Sequence, residues 1–196
     1  GNYIFIIRKD EKFDNEIKDT LLTVKKDCKI IEVDYLTEGA ACTCLLAEEY
    51  IGNKSPLLIT NCDQIMQWNS ANFLQKLHNT DCDGAVVTYD ACTEKNSYIK
   101  IDQNGYGLEL AEKKVISKYS LNGIHYWKHG VDFVNSAKRM IVSNNRVNNE
   151  FYVAPTYNTL ISQGKKIINY HLDGKKERHF ATGTPKDLHI YIRLNS

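Results

Sequence analysis

The sequence predicts one α/β domain in which helices cover both faces of a mixed sheet. Short apolar runs alternate with stretches whose apolar residues recur at the helical period, and the links between them are short. This alternation favours parallel strands joined by helices that bury both sides of the sheet. A chain of 196 residues is long enough for one sizeable core, and it contains neither an internal repeat nor a linker.

The first half of the chain alternates strands with helices. Strands are predicted over residues 3–8, 28–34, 56–63 and 83–91, and helices over residues 13–26, 38–51 and 70–77. The strands are apolar runs rich in β-branched residues, whereas the helices place apolar residues three or four positions apart. We expect right-handed crossovers between the parallel strands.

The second half begins with a hairpin signal. Residues 98–102 and 108–112 flank Asn104 and Gly105, a pair of residues that is a strong signal for a hairpin. Further strands are predicted over residues 121–128, 167–172 and 179–182, and helices over residues 131–142 and 150–162. Pro185 lies near the start of a last helix, a position that proline favours.

Composition excludes several classes of function. Twenty-five lysines and arginines balance 24 acidic residues, so the chain lacks the basic excess of a nucleic-acid binder. No apolar run approaches the roughly 20 residues that cross a bilayer, and no secretory signal opens the chain. The six cysteines form no CxxC pair, which predicts buried, reduced thiols rather than a zinc site. We therefore expect a cytoplasmic protein that contacts neither nucleic acid nor membrane.

Three segments follow predicted strands, at the edge where open α/β sheets bind ligands. Asp63 is suited to hold Mg²⁺ against a phosphate, or else caps a turn. Residues 37–41 (TEGAA) are small enough for a flat ligand to approach the backbone, or form a tight loop. Glu112 and Lys113 either clamp a substrate phosphate or form a solvated charge cluster.

Two patterns receive a structural interpretation. Asp81 and Asp83 have the DxD spacing of many glycosyltransferase metal sites, but they precede a strand and so lie at the wrong edge of the sheet. We interpret them as turn residues. The six histidines contain no HExxH pattern and are interpreted as surface or core residues.

Taken in order, several segments resemble the sugar-nucleotidyltransferase superfamily, the pyrophosphorylases that join an NTP to a phosphorylated substrate. The similarity is greatest to the bacterial branch associated with capsule and surface-polysaccharide genes. The matching stretches are TEGAACTCLLAEEYI (37–51), PLLITNCDQ (56–64), NGYGLELAEKKVIS (104–117), NGIHYWKHGVDFV (122–134), NNRVNNEFYVAPTYNTLI (144–161) and GTPKDL (183–188).

The resemblance implies a Rossmann-like nucleotidyltransferase fold, also called GT-A-like, with three α/β/α layers and a mixed, mainly parallel sheet. It implies that Asp63 binds the catalytic Mg²⁺ and that Lys113, a catalytic residue, contacts the phosphorylated substrate together with Glu112. The other implied residues are Thr37, Gly39, Ala40 and Asn61 at the nucleotide, and Gly123, Asn149 and Glu150 at the substrate.

The implied reaction is an in-line attack by the acceptor phosphate on the α-phosphorus, with release of pyrophosphate. Mg²⁺ and cationic side chains offset the charge of the transition state. The expected partners are an NTP and a sugar-1-phosphate or similar phosphorylated small molecule, used in surface-polysaccharide synthesis. The sequence leaves open whether the protein forms a homo-oligomer.

Two positions depart from the family pattern. The family opens with a strand and a GxGxR-type loop that grips the triphosphate, whereas residues 3–8 resemble its second strand. We therefore expect a single domain over 1–196 that is N-terminally truncated, lacks its first strand and has little activity alone. Many relatives also carry a second metal-binding Asp where this chain has Ala181, which leaves Glu150 and Asp173 as substitutes.

Two other functions stay open. A degenerate domain that binds a nucleotide or nucleotide sugar without catalysis would account for the absent loop and for Ala181. A GT-A glycosyltransferase would place its metal on Asp81 and Asp83 and would release a nucleoside diphosphate rather than pyrophosphate.

Overall fold

The computed structural model describes residues 2–9 and 14–195. The strands are β1 (Ile4–Arg8), β2 (Lys29–Val33), β3 (Leu57–Ile59), β4 (Gln64–Gln67), β5 (Gly84–Asp90), β6 (Ser97–Ile101), β7 (Gly107–Glu112), β8 (Tyr119–Trp127), β9 (Ile167–His171) and β10 (Arg178–Ala181). The helices are α1 (Asp14–Val24), α2 (Ala40–Leu45), α3 (Glu48–Ile51), α4 (Ser70–Asn79), α5 (Gly130–Val142), α6 (Tyr157–Ser162) and α7 (Pro185–Asn195), and a 3-10 turn (Ala154–Thr156) precedes α6.

A mixed six-stranded sheet forms the centre of the fold. Its strands lie in the order β7–β6–β8–β5–β9, and β3 also pairs with β8. Because β8 is antiparallel to β3, β5 and β6, those three strands point the same way, and β9 runs parallel to β5. β5 therefore ends beside the amino terminus of β8, at Tyr119, whereas the shorter β3 ends beside His125, nearer the carboxyl end of β8.

Helices cover both faces of this sheet. Successive side chains of a strand point to opposite faces, so β5 contributes to two cores. Val86 packs with Phe133 of α5, whereas Ala85 and Val87 pack with Phe73 of α4. The predicted three-layer α/β/α architecture is confirmed. No helix in the described ranges is long and apolar enough to cross a membrane.

Two small sheets flank the central one. β1 and β2 are parallel and pair from Ile4 with Lys29 to Arg8 with Val33. β4 and β10 are antiparallel. Within residues 2–9 and 14–195, no strand pairing joins β1 to β3, and Leu58 of β3 is 54% exposed. The expected first strand, which would lie between them, stays a prediction.

Two predicted boundaries in the first half were wrong. The strand expected over 56–63 ends at Ile59, and the chain resumes as β4, which was not expected. β4 forms because it pairs with β10, more than a hundred residues later, and not because of an apolar pattern of its own. The helix expected over 38–51 divides into α2 and α3, because its amides at 46 and 47 bond three residues back instead of four.

The helix expected over 150–162 begins seven residues late, at Tyr157, after the 3-10 turn. The Phe151 amide donates to the carbonyl of residue 38, and its carbonyl accepts the amide of residue 41, so neither group is available for helical hydrogen bonds. Regular structure starts only at the 3-10 turn. The start of the first predicted helix, at residue 13, lies outside the described residues. The cysteines are all free, but Cys62 and Cys92 are exposed rather than buried as expected.

Candidate functional site

Asn61 and Asp63 follow β3 at the carboxyl edge of the sheet, and both side chains are exposed. Asn61 lies directly against β8: a Cβ on Gly123 would stand 2.6 Å from its amide group. Gly123 also has φ +92, so both its backbone and the available space require glycine. The structure thus brings together Asn61 and Gly123, which the sequence assigned to neighbouring parts of one site.

The Gly-Thr-Pro segment at residues 183–185, which follows β10, packs on Asp63. A Cβ on Gly183 would lie 2.4 Å from the Asp63 Oδ2 atom, and the Thr182 amide donates a 2.8 Å hydrogen bond to the Asp63 carbonyl oxygen. Burial lowers the pKa of His179, while the Asp63 carboxylate raises it. The sequence analysis interpreted His179 as a surface or core histidine, and its only signal was its position two residues before Ala181 on the same predicted strand.

A single exposed carboxylate fits a magnesium ion held mainly by substrate. Mg²⁺ usually takes one or two carboxylates, with water and phosphate oxygens in the remaining positions. Among residues 2–9 and 14–195, no group of three or more His, Cys, Asp or Glu side chains could hold a metal. Asp173 serves a turn instead, because its Oδ1 atom accepts the backbone amides of residues 175–177. Those bonds lower the pKa of Asp173.

Glu112 is a buried carboxylate at the carboxyl end of β7. Ser97 pairs with Glu112 and Tyr98 pairs with Ser120, which puts the carboxylate level with the amino end of β8. The Ser97 hydroxyl donates a hydrogen bond to it. Burial raises the pKa of Glu112, while Ser97 and Lys113 lower it.

Lys113 is held in an unusual conformation beside this carboxylate. Its φ is 56°, a region that few side chains other than asparagine occupy. Its amide donates to the Asn96 carbonyl at 3.0 Å, and its Nζ atom donates to the Lys95 carbonyl at 2.9 Å. Nζ also lies 3.7 Å from Glu112 Oε1. These contacts hold the ammonium group beside Glu112, and the substrate contact of Lys113 stays a prediction.

Tyr152 joins this group, although sequence reasoning did not select it. The Lys113 ammonium lies 5.3 Å from the centre of its ring. Burial, a hydrogen bond with Glu150 and the charges of Glu150 and Glu112 together raise the pKa of Tyr152 to about 12. Glu112, Lys113 and Glu150 are therefore neighbours, and their binding of substrate stays a prediction. The sequence signal for Tyr152 was only its place two residues after Glu150.

Residues 37–41 form a closed loop at the start of α2. The hydroxyls of Thr37 and Thr43 are 2.6 Å apart, and each lies 3.3 Å from the Gly39 carbonyl oxygen. Gly39 has φ +125, and a Cβ there would lie 2.6 Å from both the nitrogen and the oxygen of Phe151. Ala40 is exposed. The loop therefore packs against the segment that carries Asn149 and Glu150.

Replacing Gly39 by alanine is expected to destabilise the fold by about 3 kcal/mol, because a positive φ and a backbone clash add together. Gly164→Ala is the matched control: Gly164 has φ +76 but nothing within 4 Å of an added Cβ, so we expect a loss of about 1 kcal/mol. Urea unfolding of both variants measures the difference. Equal losses would show that the contact with Phe151 is not tight.

Asp81 and Asp83 lie at the opposite edge of the sheet, before β5. Asp81 forms ion pairs with Lys128 and Lys166 at 3.4 and 3.7 Å, and the Asp83 carboxylate accepts the Lys166 amide at 2.9 Å. These contacts join the start of β5 to residues far along the chain, and they are not the local turn contacts that the sequence predicted.

No protein-family model and no curated protein matches this chain. Solved structures do match it. The nucleoside-diphosphate-sugar pyrophosphorylase from Vibrio cholerae RC9 is 20% identical, with a TM-score of 0.83 over 98% of this chain and 81% of that one. A UDP-glucose pyrophosphorylase complexed with UDP-glucose is 15% identical, with a TM-score of 0.71 over 98% and 81%.

The inositol-1-phosphate CTP transferase from T. maritima is 10% identical, with a TM-score of 0.70 over 99% of this chain and 76% of that one. Identities this low establish the fold and not the reaction. The expected fold is therefore confirmed: the chain has the Rossmann-like nucleotidyltransferase fold of these structures.

Proposed function

We propose that the protein is a Mg²⁺-dependent nucleotidyltransferase that joins an NTP to a sugar-1-phosphate or similar phosphorylated small molecule and releases pyrophosphate. One observation carries the proposal. In the fold shared with the pyrophosphorylases above, the paired Glu112 and Lys113 adjoin Glu150 at the sheet edge, while exposed Asp63 follows β3.

The residues suit this chemistry. The acceptor phosphate oxygen forms a bond to the α-phosphorus while the bond to pyrophosphate breaks, and no proton needs to move because the nucleophile is an anion. Mg²⁺ held by Asp63 would offset negative charge on the reacting phosphates. Lys113, whose ammonium is fixed by the Lys95 carbonyl, attracts the acceptor phosphate. Glu112 and Glu150 accept hydrogen bonds from acceptor hydroxyls.

The triphosphate contact belongs to a further strand and loop in this proposal. β1 and β3 each present an edge without a partner among the described strands, and Leu58 of β3 is exposed. A strand with a phosphate-binding loop would pair with both edges and cover that side chain. The resemblance of residues 37–51 and 144–161 to the capsule-associated branch supports a cytoplasmic role in surface-polysaccharide synthesis.

Product analysis tests the reaction. Residues 1–196 are incubated with Mg²⁺, one of CTP, UTP, dTTP or GTP, and a panel of sugar-1-phosphates, and the products are identified by mass spectrometry. We expect one nucleotide sugar and an equal amount of pyrophosphate, formed slowly because the triphosphate contact is incomplete.

The other outcomes separate the alternatives. Rapid turnover would contradict the need for a further strand. Release of a nucleoside diphosphate from a supplied nucleotide sugar would identify a glycosyltransferase. Binding of a nucleotide sugar without turnover, even with the further strand present, would support a degenerate domain.

A further inference from the structure

Arg146 uses all three nitrogens of its guanidinium group to join two segments of the site. Nε donates to the Asn144 side chain at 2.6 Å, and Nη1 donates to the Asn149 carbonyl at 3.1 Å. Nη2 pairs with the carboxylate of Glu38. The guanidinium carbon also lies 4.0 Å from the centre of the Phe151 ring, which is fully buried. Planar, forked donors of this kind fix geometry as well as charge.

Backbone hydrogen bonds join the same two segments. The Phe151 amide donates to the Glu38 carbonyl at 2.8 Å, and the Ala41 amide donates to the Phe151 carbonyl at 2.9 Å. These bonds bracket Gly39, whose close approach to Phe151 leaves no room for a side chain. Residues 37–41 and 144–151 are therefore joined by backbone hydrogen bonds as well as by the side chain of Arg146.

The second segment is itself a tight turn. Val147 and Glu150 exchange backbone hydrogen bonds of 3.0 and 2.9 Å. Asn148 and Asn149 between them have φ of 48° and 66°, as a two-residue turn with both central residues left-handed requires. Because the turn is closed, the position of its base determines where Glu150 lies relative to Glu112.

We propose that Arg146 is a positioning residue that couples the nucleotide segment 37–41 to the acceptor residues Asn149 and Glu150. The inference rests on the proposed function. A ligand that orders one segment also orders the other through Arg146. The second ligand then loses less conformational entropy when it binds. In-line transfer requires the reacting atoms to lie within about 3–3.5 Å of each other. Two binding segments that are joined to each other can change their separation less than two independent ones.

Amide hydrogen exchange tests the coupling without any turnover. In Arg146→Gln we expect the amides of Ala41 and Phe151 to exchange at least tenfold faster, and together. Arg139→Gln, on an exposed position of α5, is the matched control and should change neither amide. An unchanged Ala41 amide in Arg146→Gln would overturn the coupling.

A second variant covers the case in which Arg146→Gln fails to fold. Glu38→Gln removes the ion pair but leaves the contacts of Arg146 with Asn144, Asn149 and Phe151. We expect the same two amides to exchange faster, by a smaller factor. Protection equal to that of the wild type at both amides would overturn the role of the ion pair.

Kinetics then separate positioning from simple structural support. For the wild type we expect saturating acceptor to lower the KM for NTP at least fivefold, within the usual range of coupling between sites. In Arg146→Gln the ratio of the KM for NTP without acceptor to that with saturating acceptor should approach one. In Arg146→Lys, which keeps the positive charge but not the planar guanidinium group, the ratio should be intermediate. A lower kcat with an unchanged ratio would overturn the proposal. Absence of turnover in the wild type would count against the proposed function, and the exchange result would still decide the coupling.

Discussion

Asp63→Asn is expected to lower the rate of nucleotidyl transfer by about 10³-fold, because it removes the carboxylate that we propose to hold Mg²⁺ in the segment after β3. Asparagine has nearly the same shape, so the close packing of Gly183 on this side chain is kept. The rate is followed as pyrophosphate release at saturating substrate over a titration of Mg²⁺. We also expect the variant to need far more Mg²⁺ for the activity that remains.

The matched control is Asp81→Asn, which removes an exposed carboxylate at the opposite edge of the sheet. It should leave the rate within a factor of two. Because residues 1–196 are expected to react slowly, binding of the nucleotide sugar identified by product analysis gives a second readout. Mg²⁺ should tighten that binding in the wild type but not in Asp63→Asn. Near-normal kinetics together with unchanged Mg²⁺ dependence would exclude Asp63 from the metal role.

The parts of the fold that the sequence predicted are those whose signal is local. The first five residues of β5 (GAVVT) are buried on both faces and mostly apolar, and the hairpin is marked by Asn104 and Gly105. β4 could not be found in this way, since its sequence QIMQ has no strong pattern and its partner β10 is distant in the chain. The late start of α6 likewise depends on a contact, between Phe151 and residue 38.

The residues of the candidate site also differ in whether their signal in the sequence is local. Glu112, Lys113 and Glu150 were accessible to sequence reasoning because their segments follow one another in a recognisable order. Arg146 and Tyr152 were not, because an arginine or a tyrosine in a polar loop carries no signal by itself. Their importance comes from partners far away in the sequence: Glu38 for Arg146, and Lys113 for Tyr152.

His125 was interpreted from the sequence as a surface or core histidine, and the structure places it in the core, where its protonation opposes folding. It lies on β8 with its ring stacked 6.0 Å from the rings of both Trp127 and Tyr157. Its Nδ1 atom has no hydrogen-bond partner among the described residues. Burial lowers the pKa of His125 to about 4, because the imidazolium would lose its hydration without gaining a partner.

This shift makes the fold sensitive to acid. The unfolded chain binds a proton at His125 below about pH 6.5, whereas the folded chain does not until about pH 4. Stability from this group is therefore complete above pH 6.5 and is lost as the pH falls to 4. The loss amounts to about 3 kcal/mol. Burial also lowers the pKa of His171 and His179, which adds to the same trend.

Replacing the titrating ring should flatten this dependence. We expect His125→Gln to be less stable than the wild type at pH 7, since glutamine leaves part of the ring's volume empty, yet to lose much less stability between pH 6.5 and 4. Urea unfolding at several pH values measures both slopes, and His78→Gln, at an exposed position, should keep the wild-type slope. If His125→Gln also keeps that slope, then the acid sensitivity comes from other groups. A flattened slope would instead show that the core holds a neutral imidazole at His125, whose protonation opposes folding in acid.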